Sequence, residues 1–518
     1  MPLVSFRRGS EKPSRRRSRS HRARLTGDRN PGVTKKSPTA PTVRVGQLAA
    51  IAYAKLMAFD ALMLSRLQFA FTIAFHIIFP SFTIGLASFL AVLEAVWLFT
   101  KREAFKTLYL FWAKVFAISF GMGVVSGVVM SYEFGTNWSV FAKASAPVLG
   151  PLLAFEVLTA FFLEASFLGV MLMGWKRVGP TLHFTATCLV AFGTLVSAFW
   201  IISANSWMQS PSGFVVGADG KILAVRWLAV IFSPTFAERF AHMVLAAYLV
   251  TALVVGAASA FMLLKDKVQA ESKIALRMAI AMCAIVAPAQ LLVGDHAGKD
   301  ILHRQPTKLA AIEAFWDTKT HQAFHIAAWP DRSIAANRWE LSVPNLGSWI
   351  TAGSADAEVV GLKSFSPKDR PPVFIIFWAF RLMVGLGVAM IGLGFWGAWL
   401  WWRGGPERSR LFLRAAIAMG PSGFVAVVAG WTVAEVGRQP WVIWHVMRTA
   451  DAVSPIGHAE VSASLLAFMT VYAIIFSGGV LYILRLMAMG PAGADTQLTA
   501  RERVRAPGSP LAAAPPEP

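Results

Sequence analysis

Charged side chains are scarce in this sequence. Asp, Glu, Lys and Arg together make up 15% of its 518 residues, whereas hydrophobic residues make up 56%. About a quarter of a soluble globular protein is charged, so the composition indicates a membrane protein. Cysteine is almost absent too. Its two copies, Cys188 and Cys283, lie in apolar runs and form no CxxC pair, so neither a disulfide scaffold nor a zinc site is implied.

The charges that exist are unevenly distributed. The formal net charge is +21, but about fourteen of the 49 lysines and arginines lie in residues 1–58, which lack apolar periodicity and the apolar core of a secretory signal. Three interpretations of this basic segment stay open: an arm touching anionic lipid or nucleic acid, a disordered extension, or residues upstream of the true start. We favour the last, because Met57 opens a natural leader into the first apolar run. No nucleic-acid partner is expected.

Long apolar runs predict an all-α membrane protein. About twenty apolar residues suffice to cross a bilayer as a helix, and strands with open edges cannot satisfy their backbone in lipid. Nine spans are predicted: 68–99, 111–132, 151–174, 183–206, 238–264, 274–294, 373–401, 410–432 and 463–487. The first carries Pro80, which predicts a kinked or a long tilted helix.

The predicted organisation is a bundle of helices 1–6 in residues 59–294 and helices 7–9 in 373–490. Residues 295–372 form a long connection, and 491–518 a disordered cytoplasmic tail. The connection contains "TKLAAIEAFW", whose helical spacing and aromatics indicate an ordered segment docked on the membrane surface. No internal repeat is visible.

Basic residues alternate between connections and predict the orientation. Lysines and arginines follow spans 1, 3, 5, 7 and 9, which places these ends in the cytoplasm. The N-terminus of span 1 and the connection 295–372 are then outside, and the C-terminus is inside. The basic segment 1–58 would also lie outside, against the rule, which supports the view that it is not native sequence.

Ionisable groups inside a span are costly and are therefore functional candidates. His76, in "RLQFAFTIAFH", is either a core histidine bonded to a carbonyl or an axial haem ligand. Glu156 and Glu164 are eight residues apart in span 3, broadly on one face, and resemble stations of a proton relay rather than structural hydrogen bonders. Ser197 could extend that relay, or simply bond its own backbone.

Two further spans carry candidates. His242 lies near the start of span 5, and Met383 lies in span 7, where core packing is the default for a methionine. Arg381, two residues before Met383, needs an anionic partner, and the propionates of a haem are suitable acceptors for its guanidinium.

The stretch "WTVAEVGRQPW" ends span 8. Glu435 can ligate a metal or haem iron, and Arg438, three residues later, can bind a propionate on the same side. The alternative is a simple Glu–Arg ion pair. The two tryptophans of this stretch, Trp431 and Trp441, would fill space around a flat macrocycle and mark the membrane interface.

Seven motifs occur in one order between Ser65 and Pro491: "SRLQFAFTIAFH", "EFGTNW", "FLEASFLG", "NSWMQSP", "TKLAAIEA", "FRLM" and "GRQPW". This series resembles subunit I of the cytochrome bd family of quinol oxidases. The resemblance implies three haems and the oxidation of quinol coupled to the reduction of oxygen to water, in a multi-pass protein of the bacterial inner membrane. It also implies a proton motive force generated without pumping.

By this resemblance, His242 and Met383 are the axial pair of a low-spin haem b. His76, Glu435 and Glu156 serve a high-spin haem b and the oxygen-binding haem, which is haem d or a further haem b. Arg66, Arg381 and Arg438 hold propionates or tune the haems electrostatically, with Trp441 beside them. Protons come from the cytoplasm through Glu164 to Glu156, with Ser197 nearby.

The resemblance also places quinol, ubiquinol or menaquinol, at Lys308 and Glu313, on a surface helix of the connection 295–372. It implies a second large subunit, subunit II, and often a small single-span one. The connection is short, which is similar to the cyanide-insensitive branch of the family. Its histidines, His296, His303, His321 and His325, fit no standard metal spacing and are expected to be solvated.

Three rival functions use some of the same residues. A haem-free proton-coupled transporter would need intramembrane glutamates and arginines but leaves His242 and Met383 unexplained. A dihaem electron-transfer subunit would favour paired histidines on facing helices. A degenerate subunit would have lost ligands, whereas every matching ligand position here is intact.

Overall fold

The structure is a computed structural model that describes the backbone of residues 59–266 and 269–505 and the side chains of 59–266 and 270–491. The predicted segment 1–58 therefore lies outside the described residues. Within the described ranges, nine helices are long and apolar enough to cross a membrane. They are spans 1–9: Ala61–Thr100, Glu103–Thr136, Ser139–Lys176, Pro180–Gln209, Phe236–Leu264, Ala270–Arg304, Val373–Trp402, Arg410–Val436 and His458–Pro491. The predicted all-α, nine-span membrane fold is confirmed.

The helix ends differ from the predicted ones for local reasons. Span 1 begins early because the Asp60 side chain caps it, accepting a hydrogen bond from the Met63 N–H at 2.7 Å. Span 6 continues ten residues past its apolar run, since ion pairs one turn apart, Asp295–Lys299 and Asp300–Arg304, support its polar end. The long connection between spans 6 and 7 is therefore shorter than predicted.

Three spans are irregular. Span 3 contains a π-helical segment, Val157–Phe161, directly after Glu156. Span 8 consists of two helices, Arg410–Met419 and Ser422–Val436, on either side of Pro421. The last helix continues through a non-helical Gly490 to Arg505. The backbone is thus helical over 491–505, where a disordered tail was predicted, and residues 506–518 lie outside the described residues.

Spans 1 and 5 lie at the centre of the bundle. Span 1 packs against spans 2, 4, 5, 8 and 9, and spans 5–8 pack on one another. At Gly85 the two central helices touch: a Cβ there would lie 2.4 Å from Thr251 Oγ1, and that hydroxyl donates to the Phe82 carbonyl at 3.0 Å. A glycine is required at this contact because no larger residue fits between the backbones.

The connections between spans are ordered where the structure describes them. Spans 4 and 5 are joined by a hairpin of β1 (Phe214–Val216) and β2 (Ile222–Ala224) and a short helix, Trp227–Ile231. Between spans 6 and 7 lie a helix (Pro306–Glu313), the antiparallel pair β3 (Phe324–Asp331) and β4 (Ala336–Val343), and a helix (Leu346–Ala352). A last pair, β5 (Trp441–Ile443) and β6 (Met447–Arg448), follows span 8.

The helix Pro306–Glu313 is buried rather than superficial. Its residues from Thr307 to Glu313 are all buried, and the helix packs against spans 6 and 7. Leu309, Phe315 and Trp316 anchor it in an apolar cluster shared with span 7. The prediction that this segment is ordered and helical is confirmed, and its position on a surface helix is wrong.

Candidate functional site

Glu435, near the end of span 8, is held by three hydrogen-bond donors. Its Oε1 accepts from Asn205 Nδ2 at 3.0 Å and from Gln209 Nε2 at 3.1 Å, both on the last turns of span 4. Its Oε2 accepts from Nη2 of Arg438. A carboxylate offers about four acceptor positions, so capacity for one more ligand, such as a metal ion, remains.

Arg438 tests whether an anionic group fits beside Glu435. Its side chain is 6% exposed, and its Nε and Nη1 are buried with no acceptor among the described residues. A buried guanidinium normally has its N–H groups paired, so two unpaired nitrogens fit a missing anion such as a haem propionate. The simple ion-pair alternative satisfies only part of this guanidinium.

The polar cluster extends from Glu435 to the connection between spans 6 and 7. Lys308 Nζ lies 3.1 Å from Gln209 Oε1 and 3.2 Å from Gln305 Oε1. On the other side, Arg239 donates to Asn205 Oδ1. The cluster thus joins the ends of spans 4, 5 and 8 to the helix Pro306–Glu313 through direct hydrogen bonds.

Lys308 is 1% exposed, so this environment disfavours its charged form. Burial lowers the pKa of Lys308 well below its usual value. The nearby Arg239 and Arg438 cations lower this pKa too, whereas the Glu435 carboxylate raises it. A small cavity opens beside the cluster, lined among others by Gln209, Arg239 and Gln305.

Glu313 has different partners from Lys308. Its Oε2 accepts from Nη2 of Arg381 at 2.7 Å, and the Arg381 guanidinium also donates to the His325 carbonyl, at 2.9 Å from Nε and 2.7 Å from Nη2. The rings of Phe324 and Phe377 pack on its faces. Arg381 therefore binds Glu313 and His325 of the connection between spans 6 and 7. Its predicted propionate contact remains a prediction.

Three predicted ligands each lie against a glycine of a neighbouring helix. A Cβ at Gly127 would lie 3.2 Å from Cε1 of His76, and one at Gly294 would lie 3.2 Å from Cε1 of His242. A Cβ at Gly430 would lie 2.9 Å from Met383 Sδ.

The two imidazoles differ in which ring nitrogen has a hydrogen-bond partner. The Nδ1 atom of His76 bonds Ser126 Oγ at 3.0 Å, which leaves Nε2 for a metal. Gln290 Nε2 donates to His242 Nε2 at 3.1 Å, and His242 Nδ1 is buried without a partner in the described part of the chain. These sites have the neutral nitrogen and sulfur donors that a haem iron takes.

Span 3 and span 4 bring the predicted relay together. Ser197 Oγ donates to Glu156 Oε1 at 2.7 Å, so the serine bonds the carboxylate and not its own backbone. One turn earlier on span 4, Gly193 leaves room for Glu164, because a Cβ there would lie 2.6 Å from Glu164 Cγ. Glu164 is 6% exposed, and its Oε1 has no partner among the described residues.

The π-helical segment explains this alignment. In a regular α-helix, eight residues rotate about 80° beyond two full turns. The wider turn at Val157–Phe161 reduces that angle, so Glu156 and Glu164 both face span 4. The sequence predicted a shared face, and the π segment provides it.

The remaining predicted residues lie apart from these contacts. Arg66 is half-buried in span 1. The Trp441 ring packs against the Arg448 guanidinium, with 4.4 Å from Cζ to the ring centroid, and near His445. Their roles beside a haem stay predictions.

The four histidines predicted for the connection 295–372 are not all solvated. His325, on β3, is buried, and its Nε2 lies 3.1 Å from Oε2 of Glu340 on the paired strand β4. Its predicted exposure is therefore wrong. His296, His303 and His321 are exposed as predicted. In the described side chains, no group of three or more His, Cys, Asp or Glu residues could hold a metal ion.

Sequence reasoning missed Asn205, Gln209, Arg239 and Gln305. Their signal was present: polar side chains in "NSWMQSP" and "ERFAH" stand at the ends of apolar spans, where amides and guanidinium groups need partners. A second network was also missed. Glu94 accepts from His183 Nδ1 and Thr187 Oγ1, each at 2.6 Å, in the buried interior of spans 1 and 4.

The nine-span helical bundle holds carboxylates within its spans and two imidazoles and a thioether against glycines of neighbouring helices, which defines the class of a membrane-embedded redox subunit. The chain belongs to the family of cytochrome bd terminal oxidase subunit I, whose family model matches residues 64–491. It is therefore a haem-containing subunit of a terminal respiratory oxidase of the bacterial inner membrane, a quinol:oxygen oxidoreductase. Proteins of this family work with a subunit II and quinol. Membership excludes the haem-free transporter.

Several relatives support this family. The chain is 35% identical over 427 residues to cytochrome bd ubiquinol oxidase subunit 1 of Bacillus subtilis, covering 80% of this chain and 91% of the relative. It is 30% identical over 510 residues to cytochrome bd-II ubiquinol oxidase subunit 1 of Escherichia coli, covering 85% and 98%. The structure of bd oxidase from Geobacillus thermodenitrificans matches with a TM-score of 0.76 at 28% identity, over 83% of this chain and 98% of that one.

Proposed function

We propose that this chain holds three haems: a low-spin haem b, a high-spin haem b, and an oxygen-binding haem that is haem d or a further haem b. When bound, these groups supply one-electron transfer and oxygen chemistry. His242 and Met383 bind the low-spin haem, since a His/Met pair leaves no open position and suits an electron entry point. His76, Glu435 and Glu156 bind the other two.

The Glu435 carboxylate is the observation that carries this proposal. Asn205 and Gln209 hold one oxygen in a fixed direction, and Arg438 holds the other while keeping two N–H groups for an anion. A preoriented carboxylate can bind the iron of a haem, and the unpaired N–H groups of a neighbouring guanidinium can bind its propionates. A plain structural ion pair would not leave those N–H groups without acceptors.

Quinol oxidation is proposed at the outer face, in the cavity beside Gln209, Arg239 and Gln305. The lowered pKa of Lys308 favours its neutral amine, whose lone pair can accept a proton from the quinol hydroxyl, while the adjoining glutamines hold the amine in place. Glu313, paired with Arg381, fixes the helix that carries Lys308. The proton is then released outside.

Protons for water formation are proposed to enter from the cytoplasm. Glu164 passes them to Glu156, whose Oε1 bonds Ser197 Oγ at 2.7 Å. Uptake on one side and release on the other generates a proton motive force without a pump. This requires the orientation predicted by the positive-inside rule, with the N-terminus of span 1 outside and the C-terminus inside.

Subunit II, a small single-span subunit, and ubiquinol or menaquinol complete the proposed assembly. The short connection between spans 6 and 7 supports membership in the cyanide-insensitive branch. A cyanide titration of quinol-dependent oxygen uptake tests this point, and inhibition at micromolar cyanide would contradict it.

The main test is the reduced-minus-oxidised absorption spectrum of this chain purified with its subunit II. Haem b bands with a red-shifted chlorin band would identify haem d at the oxygen site, and haem b bands alone would identify an all-b enzyme. Folded protein without any haem bands would overturn the proposal.

A further inference from the structure

Gln209, the last residue of span 4, bonds both ends of the polar cluster. Its Nε2 donates to Glu435 Oε1 at 3.1 Å and to the Ala434 carbonyl at 3.2 Å. Its Oε1 accepts from Lys308 Nζ at 3.1 Å and from Gln305 Nε2 at 3.3 Å. A primary amide has two donors and two acceptor positions, so every hydrogen bond that this side chain can make is formed.

The direction of the amide is fixed by its partners. The Glu435 carboxylate and the Ala434 carbonyl can only accept, whereas the Lys308 amine and the Gln305 amide nitrogen donate to the opposite atom. Turning the amide over would place acceptor against acceptor and donor against donor in a site that is 1% exposed. The backbone is tied as well, because the Gln209 carbonyl accepts from Gln305 Nε2 at 2.8 Å.

No other side chain described in the cluster is hydrogen-bonded to both Glu435 and Lys308. Asn205 bonds Glu435 and Arg239, and Gln305 bonds Lys308 and Gln209. Among the described side chains, Gln209 is therefore the single hydrogen-bonded link between Glu435 and Lys308.

We infer that Gln209 is a positioning residue that sets the geometry of Lys308 at the quinol site and of Glu435 at the haem through a single buried amide. This rests on the proposed roles of Lys308 and Glu435. Loss of the amide should disturb both ends at once, whereas a change to either neighbour should disturb only one.

The experiment uses the purified two-subunit enzyme with three variants. Q209L removes the amide at nearly constant volume, and K308M removes the lysine only. N205L removes the bond to Glu435 and the acceptor of Arg239, but it leaves Lys308 and its two glutamines in place. For each variant, KM and kcat for a short-chain ubiquinol are measured, together with the absorption bands and reduction potentials of the high-spin haems. Q322L is the matched control, since Gln322 is also a buried glutamine, but its amide donates to the Asp317 carbonyl.

We expect Q209L to raise the quinol KM about tenfold, the effect of one buried hydrogen bond, and to shift the high-spin haem potentials. N205L should shift the haem potentials with a KM within about twofold of the parent, and K308M should raise KM with unchanged haem bands. The double variant Q209L/K308M should raise KM no further than K308M, because Gln209 acts on quinol through the lysine. Low-spin haem bands report correct folding in every variant.

Two outcomes separate the inference from the function beneath it. If K308M and N205L behave as expected while Q209L alters only one end or neither, the positioning role of Gln209 is overturned. If K308M leaves both KM and kcat unchanged, or E435A leaves the high-spin bands intact, the proposed roles fail instead. A Q322L variant with the same double effect would mean that any lost buried amide suffices, and would also overturn the inference.

Discussion

At the scale of single residues, hydrogen-bond donors from neighbouring helices stabilise the carboxylates that lie within the spans. Glu435 has three donors, and Glu156 has a serine hydroxyl. Among the exceptions, Arg438 and Glu164 keep buried polar atoms without partners in the described residues. A buried unpaired polar atom costs about 1–3 kcal/mol, so these atoms are expected where a cofactor or a proton completes the site.

Substituting Glu435 by Ala should remove the signals of the high-spin haems and leave the haem bound by His242 and Met383. The carboxylate is the proposed ligand of one and holds Arg438 beside it, whereas the low-spin pair lies on other spans. Reduced-minus-oxidised spectra of the purified variant provide the measurement, with E103A, an exposed glutamate of span 2, as control. Loss of all haems together would count against the assignment.

Substituting Ser197 by Ala should slow oxygen-linked proton uptake about fivefold. The change removes one hydrogen bond from Glu156, which contributes about 1 kcal/mol, while the haem bands stay unchanged. Proton uptake by vesicles during quinol oxidation measures the effect. S166A is the matched control, because the Ser166 hydroxyl bonds the Phe162 carbonyl of its own helix. Equal rates for the two variants would exclude Ser197 from the pathway.

At the scale of elements, helix contacts are set by glycines and by one π-helical turn. Gly85 and Gly193 let spans 1 and 4 approach Thr251 and Glu164, respectively. These positions cannot be told from other glycines in the sequence, because the partner lies on a helix distant in the chain. Small residues that permit close approach are typical of helix interfaces in membranes.

Substituting Gly85 by Ala should destabilise the bundle by about 1–3 kcal/mol, since the new methyl group meets Thr251 Oγ1 at 2.4 Å. G121A is the control, because a Cβ at Gly121 has no atom within 4 Å, and alanine favours the helix there. The measurement is the temperature at which the detergent-solubilised enzyme loses its haem bands. A G85A enzyme as stable as G121A would show that the contact relaxes freely.

The β3–β4 hairpin should resist acid until low pH. Hydrogen bonds from Ser333, supported by Arg338, lower the pKa of Asp331 from 3.8 to about 2. A depressed carboxyl pKa stabilises the turn above about pH 3.8, and this stabilisation is lost as the pH falls through about 2. Limited proteolysis of the hairpin by pepsin across this range should show the change. D331N should be cleaved equally fast at all pH values after correction for protease activity.

At the scale of the whole molecule, orientation links the chemistry to the membrane. The cluster at Lys308 and Glu435 lies at the outer ends of spans 4, 6 and 8 in the predicted orientation, and the basic connections lie at the opposite ends. This orientation would separate the proposed quinol oxidation from the proposed proton uptake across the bundle.

Labelling of single cysteines should confirm this orientation. S354C, in the exposed connection between spans 6 and 7, should react with a membrane-impermeant maleimide in intact spheroplasts. T100C, at the end of span 1, should react only after permeabilisation. The native Cys188 and Cys283 lie inside spans and give the background. The reverse pattern would invert the topology and the proposed direction of proton flow.

Much of this protein was determined by the sequence alone. The lengths of apolar runs predicted nine spans because a helix must match the bilayer, and the ordered motifs indicated the family. The candidate carboxylates, imidazoles and arginines were visible because ionisable residues are rare in such runs. Helix ends were predicted less well, since Asp60 and the ion pairs of span 6 act through local contacts outside the hydropathy pattern.

Only the tertiary structure decided which of these residues meet. Gln209, Lys308 and Glu435 are far apart in the chain and join through the packing of spans 4 and 8 against one buried helix. Burial of the helix Pro306–Glu313 depends on span 7, and the pairing of Arg381 with Glu313 follows from it. Periodicity specifies an apolar face but not its neighbour, so contacts between distant elements arise only when all the helices pack together.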